Sequence, residues 1–163
     1  MNRDILWAPW RMGYILGIKK KGCFLCKSLK SRKDDENYVV FRGNKVFVVM
    51  NIFPYNNGHL MVVPNRHIKD INSLDVEEET ELMEVIKKCV KILKKVLNPD
   101  GFNIGLNLGK VAGAGLESHI HFHIVPRWDG DTNFMPVISN VKVIPQSLKE
   151  LYTILKKEFE RRK

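Results

Sequence analysis

His119-Ile120-His121-Phe122-His123-Ile124-Val125 sets three imidazoles in strict alternation with apolar side chains. A period of two marks a half-buried strand, in which residues i, i+2 and i+4 share one face. The segment therefore reads as a strand over His119–Pro126 that turns Ile120, Phe122 and Ile124 toward a core and presents His119, His121 and His123 together. The chain has 5 histidines, so finding three of them at this spacing is better explained by chemistry than by chance. One metal ion held by all three is excluded by reach. At roughly 3.3 Å per residue the outer Cα atoms lie about 13 Å apart, whereas Zn–N bonds are about 2 Å. The trio must divide its labour.

The flanking sequence supplies the rest of a sheet. Tyr38–Phe41 and Lys45–Met50 are β-rich around a Gly43-Asn44 hairpin turn, and His59–Pro64 reads as a third strand entered through Asn57-Gly58. Asp75 with Glu78 three residues on makes a capping box. Leu82, Ile86, Cys89, Leu93 and Val96 or Leu97 then recur at helical spacing until Asn98-Pro99-Asp100-Gly101 ends the run. That stripe assigns Cys89 to the core as a buried free thiol. Phe102–Leu108 is a further strand, and a last helix from near Pro145 buries Leu148, Leu151, Tyr152, Leu155 and Phe159. The expectation is an α+β domain: an antiparallel sheet of about five strands with one long helix on it and a C-terminal helix.

At 163 residues and 44% apolar composition, one core is the default, so residues 1–163 are read as a single domain. Residues 1–36 form an irregular extension, 38–127 the core and 145–162 the closing helix. The N-terminus is interrupted by Pro9, Arg11 and Lys19-Lys20-Lys21, with no signal-peptide core or membrane-length apolar run, which points to a soluble cytoplasmic protein. The net charge of +9 favours phosphorylated ligands, but no nucleic-acid-binding motif accompanies it. Of the 3 cysteines, two form Cys23-x-x-Cys26. The pair alone allows half a zinc site, a redox couple or two core thiols, and redox is disfavoured because no thioredoxin-like βαβ pattern follows.

The triad resembles the His-φ-His-φ-His-φ-φ signature of the histidine-triad (HIT) superfamily. The likeness extends through Phe47-Val-Val-Met-Asn51, Gly58-His59-Leu60 and Asn107-Leu-Gly109, covering roughly residues 38–127. Leu6-Trp7-Ala8-Pro9-Trp10-Arg11 and Pro126-Arg127-Trp128 look most like the bacterial diadenosine polyphosphate phosphorylase and hydrolase-like members. The resemblance implies that His121 is the nucleophile, and a neutral imidazole suits that role as both attacker and leaving group. It implies further that His123 contacts the α-phosphate and the bridging oxygen, that His59 reaches the same phosphate region, that Asn51 binds the ribose hydroxyls and that Asn107 touches phosphate. Gly109, Gly113, Gly115, Lys110 and Ser118 lie between the last two strands, where glycine-exposed N–H groups suit a phosphate cradle. Many family hydrolases carry Gly-Gln-Ser/Thr before the triad, whereas this chain has Gly-Leu-Glu-Ser118. Ser118 is then the candidate for assisting the leaving group.

HIT proteins that begin with paired cysteines, and the related galactose-1-phosphate uridylyltransferases, bind zinc through a histidine after the third strand and the first of the triad. By that resemblance Cys23, Cys26, His67 and His119 form a structural zinc site. The resemblance also implies a homodimer, with Trp7 and Trp10 packing at a core or dimer contact. The expected activity is cleavage of dinucleoside polyphosphates, with adenine as the base, through a covalent nucleotidyl-histidine and with water or orthophosphate as acceptor. A nucleoside phosphoramidase and a slow-turnover nucleotide-binding regulatory module are the alternatives.

Overall fold

The computed structural model describes residues 22–131 and 143–161. Readings placed on Leu6–Arg11, on Lys19–Lys21 and on the last two residues lie outside that range. Five strands form one antiparallel sheet: β1 (Val39–Arg42), β2 (Val46–Met50), β3 (Leu60–Pro64), β4 (Gly101–Leu106) and β5 (Phe122–Arg127), in the spatial order β1-β2-β3-β5-β4. The last strand in sequence is thus inserted between β3 and β4, and β4 is left on the edge. The hairpin between β1 and β2 turns one residue later than expected, about Asn44-Lys45, with the Gly43 N–H donated to the Val46 carbonyl at 2.8 Å.

Among the described residues the long helix α3 (Val76–Leu97) follows two short helices, α1 (Phe24–Ser31) and α2 (Asp34–Asn37). Its start is fixed by the expected capping box, in which Asp75 accepts from the Glu78 N–H and Glu78 accepts from the Asp75 N–H. Glu77, Glu78 and Glu79 face the positive end of its dipole, and Asn98 closes it in the left-handed conformation. Leu82, Val85, Ile86, Cys89, Ile92 and Leu93 are buried against one face of the sheet, where they meet Val48, Met50, Leu60, Val62 and Ile124. The C-terminal helix α4 (Leu148–Glu160) starts at a Ser147 cap rather than at Pro145, and adds Leu151, Tyr152, Leu155 and Phe159 to the same core.

The other face carries a second, smaller core of Leu25, Val39, Phe47, Val49, Met61 and Val63. Leu25 comes from α1, so the segment expected to be irregular is a helix lying over this face. Arg42 ties it down, donating to the Ser28 and Leu29 carbonyls at 3.0 and 2.7 Å and to the Asp34 carboxylate. The triad strand also begins later than expected, at Phe122. Ahead of it the Ile120 N–H is donated to the Ile68 carbonyl at 2.8 Å, and His119 and His121 lie on a lead-in outside the ladder. Among the described residues no helix is long and apolar enough to cross a membrane.

Candidate functional site

His123 pairs in register with Met61, which places it on the α1 side of the sheet. His119, His121 and His123 are all buried. Their hydrogen bonds fix which nitrogen of each ring carries a proton. His121 Nδ1 lies 2.8 Å from the His119 carbonyl oxygen, which can only accept, so Nδ1 bears the proton and Nε2 keeps its lone pair. His121 and His123 meet edge to face with centroids 4.9 Å apart.

Behind His123 stands His59, only 1% exposed, with its Nε2 at 2.9 Å from His123 Nδ1. The backbone N–H of Tyr55 donates to His59 Nδ1 at 3.1 Å, and the Asn51 amide nitrogen faces the same atom at 3.3 Å. His59 Nδ1 is therefore an acceptor, its proton resides on Nε2, and that proton is donated to His123 Nδ1. A neutral His123 then carries its own proton on Nε2. Burial, reinforced by the neighbouring rings, pushes His59 down to about 3 and His123 down to about 4, so both are neutral at physiological pH. Tyr55 lies over the pair, its ring centroid 4.6 Å from His59 and 5.6 Å from His123. Sequence reasoning missed Tyr55, whose decisive group here is a backbone N–H that no side-chain pattern reveals.

Asn51 follows β2, and its Oδ1 accepts the Phe53 N–H at 2.9 Å, which fixes the turn leading to Tyr55. Asn107 and the glycine segment connect β4 to β5 through a 3-10 turn at Lys110–Ala112. Gly113 closes that turn with φ +91, next to the Asn107 amide. Its N–H is donated to the Lys110 carbonyl at 3.0 Å, an internal use that a phosphate ligand would have to replace. Gly115 and Ser118 are exposed on the last part of this connection, ahead of buried His119.

A second constellation lies at the start of the triad. The ligand atoms of Cys23, Cys26, His67 and His119 all fall within 4.8 Å of one another. Cys23 Sγ is 3.3 Å from His119 Nδ1, and Cys26 Sγ is 3.2 Å from His67 Nδ1. Bonds of about 2.3 Å to sulfur and about 2.0 Å to nitrogen in a tetrahedron require ligand separations of this size. His119 Nε2 donates to the Pro64 carbonyl at 2.9 Å, leaving Nδ1 as a lone-pair donor aimed at the two sulfurs. The donor set of two thiols and two imidazoles thus fits a closed zinc site. Burial, followed by the hydrogen bond and charge of the neighbouring Cys23, raises the Cys26 thiol.

Comparisons with known proteins identify the family and the fold. A HIT domain family model matches residues 32–130. The AP-4-A phosphorylase of Mycobacterium tuberculosis is 42% identical over 164 residues, covering 96% of this chain and 84% of its own. A hypothetical histidine triad nucleotide-binding protein from Sulfolobus tokodaii superimposes with a TM-score of 0.68 at 26% identity, covering 85% of this chain and 92% of its own. A Zn-bound histidine triad family protein from Mycobacterium smegmatis shares the fold, with a TM-score of 0.67 at 22% identity over 85% of this chain and 93% of its own. With the family model spanning the whole sheet and α3, and with the three alternating imidazoles inside the matched residues, the chain belongs to the histidine-triad (HIT) family.

Proposed function

We propose that this protein cleaves dinucleoside polyphosphates, with adenine as the base, at an α-phosphorus and transfers the nucleotidyl group to orthophosphate. The observation that carries the reading is the pinned tautomer of His121. Its Nδ1 proton is donated to the His119 carbonyl, so the Nε2 lone pair is free to attack. In the first step Nε2 forms a bond to the α-phosphorus while the bond to the bridging oxygen breaks. His123 Nε2–H stands beside it as the donor to that oxygen, where negative charge builds up. In the second step an orthophosphate oxygen attacks the same phosphorus, and the P–N electron pair returns to His121. Likeness over most of both chains to an enzyme named AP-4-A phosphorylase supports orthophosphate as the acceptor.

We assign the remaining roles as the family resemblance implies. Asn51 addresses the ribose, while Asn107, Gly113, Gly115 and Ser118 line the phosphate chain from the β4–β5 connection. His59, with both ring nitrogens engaged, acts through His123 rather than on the substrate. Cys23, Cys26, His67 and His119 would hold zinc, which would cross-link α1 to the sheet and supply no chemistry.

We also read the protein as a cytoplasmic homodimer that binds no nucleic acid. Edge strand β4 exposes Asn103, Ile104 and Gly105, and Ile104 borders a groove of about 500 Å³ with Met83, Ile86 and Val90 of α3. An unpaired edge beside an apolar groove suits a second copy, and a monomeric mass in solution would refute it.

Product analysis with diadenosine tetraphosphate tests the activity. The expected result is ATP plus ADP, formed only when orthophosphate is present. ATP plus AMP without phosphate would make water the acceptor, and two ADP would refute attack at the α-phosphorus.

A further inference from the structure

The loop Asn51–Gly58 delivers the Tyr55 N–H to His59, and something must hold that loop in place. The Asn56 side chain, buried to 6% exposure, spends both amide protons outside the loop. One goes to the Pro126 carbonyl at 3.0 Å and the other to Asp131 Oδ2 at 2.7 Å. The Asp131 carboxylate, itself 6% exposed, is a hub. It also accepts from Arg127 Nε at 2.6 Å, from Arg127 Nη2 at 2.9 Å and from the Trp128 N–H at 3.2 Å. Arg127 is oriented in turn by donation to Asn103 Oδ1 at 2.9 Å. The end of β5 therefore grips the residue that directly follows Tyr55, and the Asn56 carbonyl accepts the His59 N–H at 3.3 Å.

We infer that Asp131, acting through Asn56, is a positioning residue that keeps His123 protonated on Nε2. The chain of cause is short. Asp131 fixes Asn56, Asn56 fixes the Tyr55 N–H, and that donor makes His59 Nδ1 an acceptor. His59 must then donate from Nε2 to His123 Nδ1, which leaves His123 only Nε2 on which to carry a proton. If the loop shifts, His59 can take the other tautomer and accept from His123, whose proton then moves to Nδ1. The proton that faces the departing oxygen is lost although every site side chain remains. This rests on the reading of His123 as a donor to the leaving group.

A series of aryl esters of adenosine 5′-phosphate, from p-nitrophenyl to phenyl, separates the possibilities. A p-nitrophenolate leaves unaided, whereas phenolate needs a donor. For Asn56→Ala, and for the shape-conserving Asp131→Asn, the rate ratio between p-nitrophenyl and phenyl esters is expected to widen by about tenfold or more over wild type, part of the about 10²–10⁴ that a positioned acid contributes in full. Nitrogen-15 spectra of the imidazoles should show His59 and His123 leaving their Nε2–H tautomers in the same variants. A uniform loss across the series with unchanged tautomers, or no loss at all, overturns the inference. His123→Ala is the reference. If it fails to widen the ratio, the donor role of His123 is wrong; if it widens the ratio while Asn56→Ala and Asp131→Asn do not, only the positioning role fails.

Discussion

His121→Ala removes the Nε2 lone pair and leaves the Asn51 turn and the His59–His123 pair unaltered. Turnover is expected to fall by several orders of magnitude, on the order of what loss of a nucleophile costs in other enzymes, while nucleotide affinity changes less than about tenfold. Rapid quench of wild type with labelled substrate should trap an acid-labile nucleotidyl-protein, and an unlabelled protein would indicate direct attack by the acceptor. The neighbouring rings make a separate prediction about stability. His59 at about 3 and His123 at about 4 are depressed below the ~6.5 of an unfolded imidazole. The unfolded chain therefore binds protons that the folded chain refuses. This contribution is fully present above pH ~6.5 and is lost as pH falls toward 4, by up to about 1.4 kcal/mol per pH unit for each ring. Urea midpoints should hold steady above neutrality and drop between pH 6 and 4.5, and His59→Gln should make that drop shallower. A flat profile across this window would show that burial does not hold the pair neutral.

At the scale of elements, the parts that the sequence discloses are those fixed by local physics. The Asp75–Glu78 box, the apolar stripe of α3 and the β-branched run of β2 each satisfy their own backbone or bury their own face. What stays hidden depends on distant partners. The lead-in to β5 leaves the ladder because Ile68 takes the Ile120 N–H and Pro64 takes the His119 proton. Helix α1 has one fully buried leucine, Leu25, too little for a periodic signal, and owes its place to Arg42 and the second core. The site divides in the same way. Alternation points to three neighbouring imidazoles, but the groups that choose the tautomers are a backbone N–H that donates to His59 and a backbone carbonyl that accepts from His121, and Asp131 reaches Asn56 across 75 positions. Gly58 marks where local and distant constraints meet. Its φ is +76, and a Cβ there would overlap Leu97 Cδ1 and press on Leu93 and Pro126 at 3.2 Å. Gly58→Ala is expected to cost about 1–3 kcal/mol in urea unfolding and to lower turnover as well, because His59 is the next residue. Unchanged stability would mean that the loop has room to move away from α3.

For the whole molecule the question is how α1 is kept over the second face of the sheet. The apolar contact is small, Arg42 and Asp34 hold only the far end of α1, and the near end carries Cys23 and Cys26. Four ligand atoms within 4.8 Å can cross-link that end to His67, which follows β3, and to His119, which precedes β5. A closed site of this kind converts metal-binding free energy into folding free energy, because the unfolded chain cannot assemble it. Protein purified without added metal is therefore expected to contain close to one zinc per chain. Chelation or Cys26→Ser should lower the melting temperature and expose α1 to proteolysis, with the cut falling near Phe24–Ser31. The chemistry should suffer less, since the His121 tautomer depends on the His119 carbonyl and not on its metal-facing nitrogen. Metal-free protein with an unchanged melting temperature and an intact α1 would show that packing and Arg42 suffice, and would remove zinc from the account of this fold.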